Sequence, residues 1–245
     1  MHWDFALILA FLAVAVPLLG RRRIRRIFRA SSTTKGERLS LYASTLLFQW
    51  LAAGLILWRT TARAIPLASL GLALPYPAVT IVVSLALALL ILVNQIASLK
   101  RLATQPHDSK SLLPQLALKV FPQDAAERLV FFALALSVAF CEEFIYRGFV
   151  QHVFEFSPRH LVVAGIVASA VLFAFAHLYQ GLRGLVATFT AGLIFSIVRA
   201  ATGSLLAPVV CHFAADLAAG FLAPAKVRAA LARGASRPES AAVET

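Results

Sequence analysis

Cysteine is almost missing from this 245-residue chain, and the two present, Cys141 and Cys211, each lie in an apolar run. That excludes a disulfide framework and leaves the redox compartment open. Charge is scarce too, at 14% of residues, and acid is scarcer than base: 11 Asp and Glu face 23 Lys and Arg, a formal net charge of +12. In a soluble protein this excess would raise the question of nucleic acid. No basic groove interleaved with aromatics is visible, however, and the basic residues cluster between hydrophobic runs, so anionic headgroups and the positive-inside bias account for them. Internal repeats, extended low-complexity tracts and a His-Glu-x-x-His motif are all lacking.

What is abundant is apolar surface. Hydrophobic residues make up 60% of the chain and the mean hydropathy is +0.81, far beyond a soluble domain's balance. The expected fold is all-α, a polytopic transmembrane bundle of about seven spans, with six and eight as the neighbouring counts. The first run, 5–19, has Asp4 before it and Arg21, Arg22, Arg23, Arg25 and Arg26 after it. A cleavable signal carries its positive charge in front, so this pattern predicts an uncleaved anchor with its N-terminus outside. The basic stretch 21–38 can equally be read as a surface-lying amphipathic helix on the same side.

Further spans are expected at 41–58, 79–99, 129–156, 161–177, 185–198 and 205–222, the sixth being the shortest. The connection through Pro66, Pro75 and Pro77 is a weakly basic loop, and the segment 100–128 is polar and interrupted by Pro106, Pro114 and Pro122. Ser157-Pro158 should stop the fourth span. This topology puts most basic residues on one side and the C-terminus in the cytoplasm. The chain divides into N-terminal membrane helices with basic loops (1–127), a core carrying the polar motifs (128–224) and a polar tail (225–245) with Arg237, expected to be disordered after about Gly234.

The anomaly is Cys141-Glu142-Glu143-Phe144-Ile145-Tyr146-Arg147-Gly148, charged inside a segment long enough to span a bilayer. Charges there are expensive and mark a functional site by default, whereas the bland reading makes Arg147 a snorkelling residue at a span's end. Glu143 and Arg147 share a helix face, and Glu142 is rotated by about 100° from it. The two carboxylates are expected to titrate as one coupled unit, one held charged by Arg147 and the other available as a general base. His177 ends the fifth span. His212 and Asp216 are spaced i, i+4 in the seventh, the geometry in which a carboxylate fixes an imidazole's tautomer. At about 1.5 Å per residue Glu142 and His177 fall at similar depth, whereas His212 and Asp216 need tilt or a kink at Pro208 to reach them.

Glu142-Glu143-x-x-x-Arg147, then Phe173-x-x-x-His177, then His212-x-x-x-Asp216, in this order on successive membrane helices, resembles the CPBP family of type II CAAX prenyl endopeptidases and bacteriocin-processing or Abi-type relatives. The resemblance covers roughly 128–222. It implies an intramembrane glutamic endopeptidase without metal or other cofactor: Glu142 and His177 activate a water, His212 and Asp216 stabilise the oxyanion, and Glu143 and Arg147 brace the site. An ionised Asp216 would repel an oxyanion, so its expected task is to orient and charge His212. The partners implied are a peptide or protein substrate, lipidated or not, and the bilayer, with no nucleic acid.

Three rivals stand beside this reading. Two Glu, two His and an Asp are adequate zinc ligands, which would make a metalloendopeptidase of the same residues, though Arg147 would set a cation beside the metal. A Cys211 nucleophile is disfavoured because its neighbour His212 points about 100° away on a helix. A non-catalytic membrane binder or immunity protein, or a proton-coupled transporter, would also place carboxylates and histidines in apolar helices.

Overall fold

The computed structural model describes residues 2–104, 112–155 and 161–235, and it is 87% helical with no strand among the described residues. The helices are α1 (Trp3–Arg29), α2 (Lys35–Ala62), α3 (Pro77–Thr104), α4 (Leu112–Lys119), α5 (Ala125–Glu155), α6 (Val162–Ala176), α7 (Gly181–Thr202) and α8 (Leu206–Ala235). Six helical stretches are long and apolar enough to cross a membrane, and α6, with 15 residues, is a shorter apolar one. The protein is a multi-pass membrane bundle.

The short element is therefore α6 and not the sixth crossing. With the 3-10 turn Leu178–Gln180 before it, the sixth runs Leu178–Thr202, 25 residues. The expected bounds, 185–198, leave out Arg183 and Arg199, which this crossing includes near its ends. Thr188 and Thr190 donate their hydroxyls to the Gly184 and Val186 carbonyls one turn back, so they cost the helix no unpaired polar group. The basic stretch after the first run likewise continues α1 instead of forming a separate surface helix. Pro208 falls in the first turn of α8, where proline is tolerated, and α8 carries Pro224 in its interior on the way to Ala235. Pro106, the Ser157-Pro158 stop and the tail beyond 235, with Arg237, lie outside the described residues.

Burial follows the order of packing. Half of α5's most apolar window is buried, against 17% of α3's, because α5 packs on α2, α6 and α8 while α3 rests chiefly on α8. The outer face of α3 bears Val79, Val82, Leu85, Leu89 and Val93, all exposed, a surface that only hydrocarbon can cover.

The basic end of the bundle is tied by side chains to backbone ends. Thr34 and Glu37 form a capping box on α2, and Asp124 caps α5 by accepting from the Glu127 amide at 2.8 Å. Lys35 donates to Asp124 at 2.8 Å, and together with the Glu127 amide it holds that carboxyl below the usual range. The cap is therefore in place at neutral pH and is lost as pH falls through the lowered value. Arg38 grips the buried Glu127 through Nη2 at 2.7 Å and Nε at 3.1 Å. Lys119 caps the C-terminus of α1, donating to the Phe28 and Ala30 carbonyls at 2.9 and 2.6 Å.

At the other end, the connection expected to be a plain loop enters the bundle. Leu70 is fully buried, Gly71 turns the chain with φ 79°, its carbonyl accepts from Leu205 N at 2.9 Å, and Leu72 bridges to Ser204. Gly148 of α5 permits the approach, since a Cβ there would stand 3.0 Å from the Leu70 carbonyl oxygen. Arg199, paired with Glu155, donates to the Ser69 carbonyl at 2.6 Å. Intramembrane backbone that is not helical is tolerated only when protein satisfies it, as here.

The Arg38–Glu127 pair gives a direct stability test. Arg38→Leu leaves a buried carboxylate without its cation and should cost about 3 kcal/mol, measured by thermal or denaturant unfolding in detergent micelles. Arg38→Leu combined with Glu127→Leu should recover most of that loss.

Candidate active site

The α5 helix changes pitch where its charges sit. After Glu143 the α-helical turns give way to a π-helical stretch, Phe144–Val150, all seven residues of which are buried. Such wide turns are usually short and occur often at functional sites. Glu143 and Arg147, both with no exposed side-chain surface, pair across it, Nη1 donating to Oε1 at 3.0 Å. The same Oε1 meets His212 Nδ1 at 2.8 Å. An ionised carboxylate only accepts, so the imidazole proton shared with it is on Nδ1. One buried oxygen thus joins α5 to α8.

The rest of Arg147 faces aromatic rings, and its buried Nε and Nη2 have no hydrogen-bond partner among the described residues. Its guanidinium lies 4.2 Å from the Phe173 centroid and 5.5 Å from that of Phe195, so α6 and α7 each supply an aromatic face. Gly192 brings α7 close enough: a Cβ there would stand 3.0 Å from Ala170 Cα and 3.3 Å from Arg147 Nη2.

Glu142 takes a different neighbour. Its Oε1 accepts from Gln49 Nε2 of α2 at 2.7 Å, and it lines a cavity of about 540 Å³ whose other polar groups include His177, Tyr179, Tyr146 and Arg23. Most of the wall is apolar, from α1, α2 and the first half of α5. His177 caps α6 at its C-terminus, and its Nδ1 lies 2.8 Å from the Phe173 carbonyl oxygen. A carbonyl only accepts, which makes Nδ1 the donor and leaves Nε2 of the neutral ring with a free lone pair. His212 Nε2 stands 3.9 Å from Glu142 Oε2 and 3.7 Å from Asp216 Oδ2, too far for hydrogen bonds and close enough for Coulomb attraction.

The six residues singled out in the sequence thus form two connected groups. Glu143, Arg147 and His212 make a buried, hydrogen-bonded set; Glu142 and His177 line the cavity; Asp216, about a third exposed at its side chain, faces His212 Nε2. The orienting partner of His212 is Glu143 and not Asp216, because Glu143 reaches Nδ1 at hydrogen-bond distance. The depth mismatch expected for α8 disappears because that helix starts inside the bundle. Leu205 is buried, and its side chain would lie 3.6 Å from a Cβ at Gly148, so α8 sets out from about the level of Gly148, the residue after Arg147. Cys211 is buried packing.

Sequence reasoning missed Gln49, Tyr179 and Phe195. Only Gln49 left a signal, as a lone amide between Phe48 and Trp50 in an otherwise apolar run, the kind of residue that an intramembrane polarity rule should flag. It also missed a second buried network. There Gln151 donates to Glu155 at 2.8 Å and to the Ser196 carbonyl at 3.1 Å, beside Arg199. Among the described residues, no group of three His, Cys, Asp or Glu side chains is placed to hold one metal ion.

Comparison with curated proteins finds no match, and comparison with solved structures finds none either. A family model does match. Residues 124–218, the stretch that holds all six side chains, match the family model described as type II CAAX prenyl endopeptidase Rce1-like.

Proposed function

We propose that the protein is an intramembrane endopeptidase in which Glu142 and His177 activate a water without a metal. The observation that carries this is the placement of both groups on one largely apolar cavity, with the Glu142 carboxylate anchored by Gln49. In the proposed reaction the water oxygen attacks the peptide carbonyl carbon while its proton passes to the Glu142–His177 pair. The tetrahedral intermediate then breaks its C–N bond as that proton moves to the leaving nitrogen, giving a carboxylic acid and an amine, which end as carboxylate and ammonium when the acid's proton passes to the amine. His212, carrying protons on both nitrogens, would offer Nε2–H to the oxyanion. Glu143 fixes the ring from the other side at 2.8 Å, and Arg147 holds Glu143. Asp216, 3.7 Å from Nε2, supports the charged ring instead of contacting the oxyanion.

Gln49 is a positioning residue in this scheme, since it acts on substrate only through Glu142. The cavity's walls on α1 and α2 suit a substrate with an apolar or lipidated end. The matched family's description adds prenylated CAAX tails to hydrophobic peptides as candidates. With the basic end of the bundle in the cytoplasm, as the charge bias requires, the reaction would take place toward the cytoplasmic half of the bilayer.

The test is turnover of a membrane-peptide library by the purified, reconstituted protein. Glu142→Gln and His177→Ala should each lower the rate by about a thousandfold with folding preserved. Turnover like wild type in the Glu142 variant rejects the assigned base, and a wild type that cleaves nothing in the library favours the non-catalytic binder. Chelators should leave turnover unchanged; loss to chelators with recovery on zinc decides for a metalloendopeptidase built on the same residues.

Gln49→Leu should reduce kcat by about tenfold with little change in KM, because one neutral hydrogen bond to a charged group is lost. Gln49→Glu should be worse, having replaced a donor by a second carboxylate.

A further inference from the structure

The last turns of α1 carry a basic cluster that the proposed peptidase does not use. Arg25 and Arg29 are four residues apart, so they rise from one helix face, and both are exposed. No carboxylate among the described residues pairs with either. They border a cavity of about 680 Å³ between the end of α1 and α4, together with Phe28, Ser31, Leu118 and Lys119. The Lys119 ammonium is pinned there by the Phe28 and Ala30 carbonyls. Three cations thus converge on one hollow whose remaining wall includes a phenyl ring and a leucine.

We propose that this hollow binds the headgroup of an anionic glycerophospholipid from the leaflet at the basic end of the bundle. The two guanidiniums match a phosphodiester, which they can hold by charge-assisted hydrogen bonds, and the Ser31 hydroxyl suits the glycerol part. Phe28 and Leu118 add apolar surface to the same hollow, against which the start of an acyl chain can lie. This apolar surface favours a lipid over a free phosphate. The site also lies on a helix that walls the candidate active site: Arg23, two residues before Arg25 on α1, lines the cavity that holds Glu142. A lipid bound at Arg25 and Arg29 would hold the end of α1 in place without touching the substrate.

The experiment titrates the full chain in a neutral detergent with short-chain phosphatidylglycerol, phosphatidylcholine and glycerol 3-phosphate, and reads binding as the rise in thermal midpoint. Phosphatidylglycerol should bind about tenfold more tightly than phosphatidylcholine, and glycerol 3-phosphate should give no rise. Arg25→Gln with Arg29→Gln should lower the phosphatidylglycerol affinity by about tenfold. Arg21→Gln with Arg22→Gln removes the same charge from exposed residues outside the hollow and should leave the affinity within about twofold. Equal losses in the two double variants would reduce the effect to unspecific surface charge and overturn the site. So would equal affinity for the two lipids, and a response to glycerol 3-phosphate as strong as to phosphatidylglycerol would assign the hollow to a soluble phosphate. If the Arg25 and Arg29 double variant already melts below wild type without lipid, native mass spectrometry of lipid adducts replaces the thermal reading with the same criteria.

Discussion

A single buried carboxylate oxygen organises the centre of this bundle. Glu143 Oε1 accepts from Arg147 on its own helix and from His212 on α8, and it does so with no exposed surface on either Glu143 or Arg147. Burying a charge inside a membrane protein is costly unless it is paired and hydrogen-bonded, so this oxygen cannot be left with fewer partners. The need propagates outward. Arg147 must have a second environment for the rest of its guanidinium, and Phe173 and Phe195 supply it from α6 and α7. Four helices are thereby held in register by one ionised group and its counter-charge.

That hub leaves Glu142 free of Arg147. Adjacent residues on a helix diverge, so while Glu143 is spent on structure, Glu142 looks into the apolar cavity with a neutral amide as its partner. The two neighbouring acids thus have different surroundings, an amide and an apolar cavity for one and a guanidinium and an imidazole for the other. The same economy of partners holds for His177, whose Nδ1 is occupied by a backbone carbonyl and whose Nε2 is not.

Much of this was legible in the sequence, for a physical reason: lipid forbids idle charge. The all-α membrane bundle and the i, i+4 pairing of Glu143 with Arg147 could be read because each polar residue stood out against Leu, Ala, Val and Phe. Three features could not be read. The π-helical stretch at Phe144–Val150 has no residue signature, since it results from how the helix accommodates its neighbours. The handover of His212 from Asp216 to Glu143 depends on the starting depth of α8, which is set by Leu205 packing near Gly148. The full length of the sixth crossing takes in Arg183 and Arg199 near its ends, and Arg199 is paired with Glu155, a partner that only the fold supplies.

The segment 67–72 carries one more implication, for the order in which the molecule is completed. It is made early, yet its carbonyls and its turn are held by residues made late: Arg199 at Ser69, Leu205 at Gly71 and Ser204 at Leu72. Until α7 and α8 are in place, the Ser69 and Gly71 carbonyls lack these partners, and the stretch keeps only the hydrogen bonds of its own turn. Closure of the molecule at that end is therefore a final step, in which the beginning of the chain is locked by its last third.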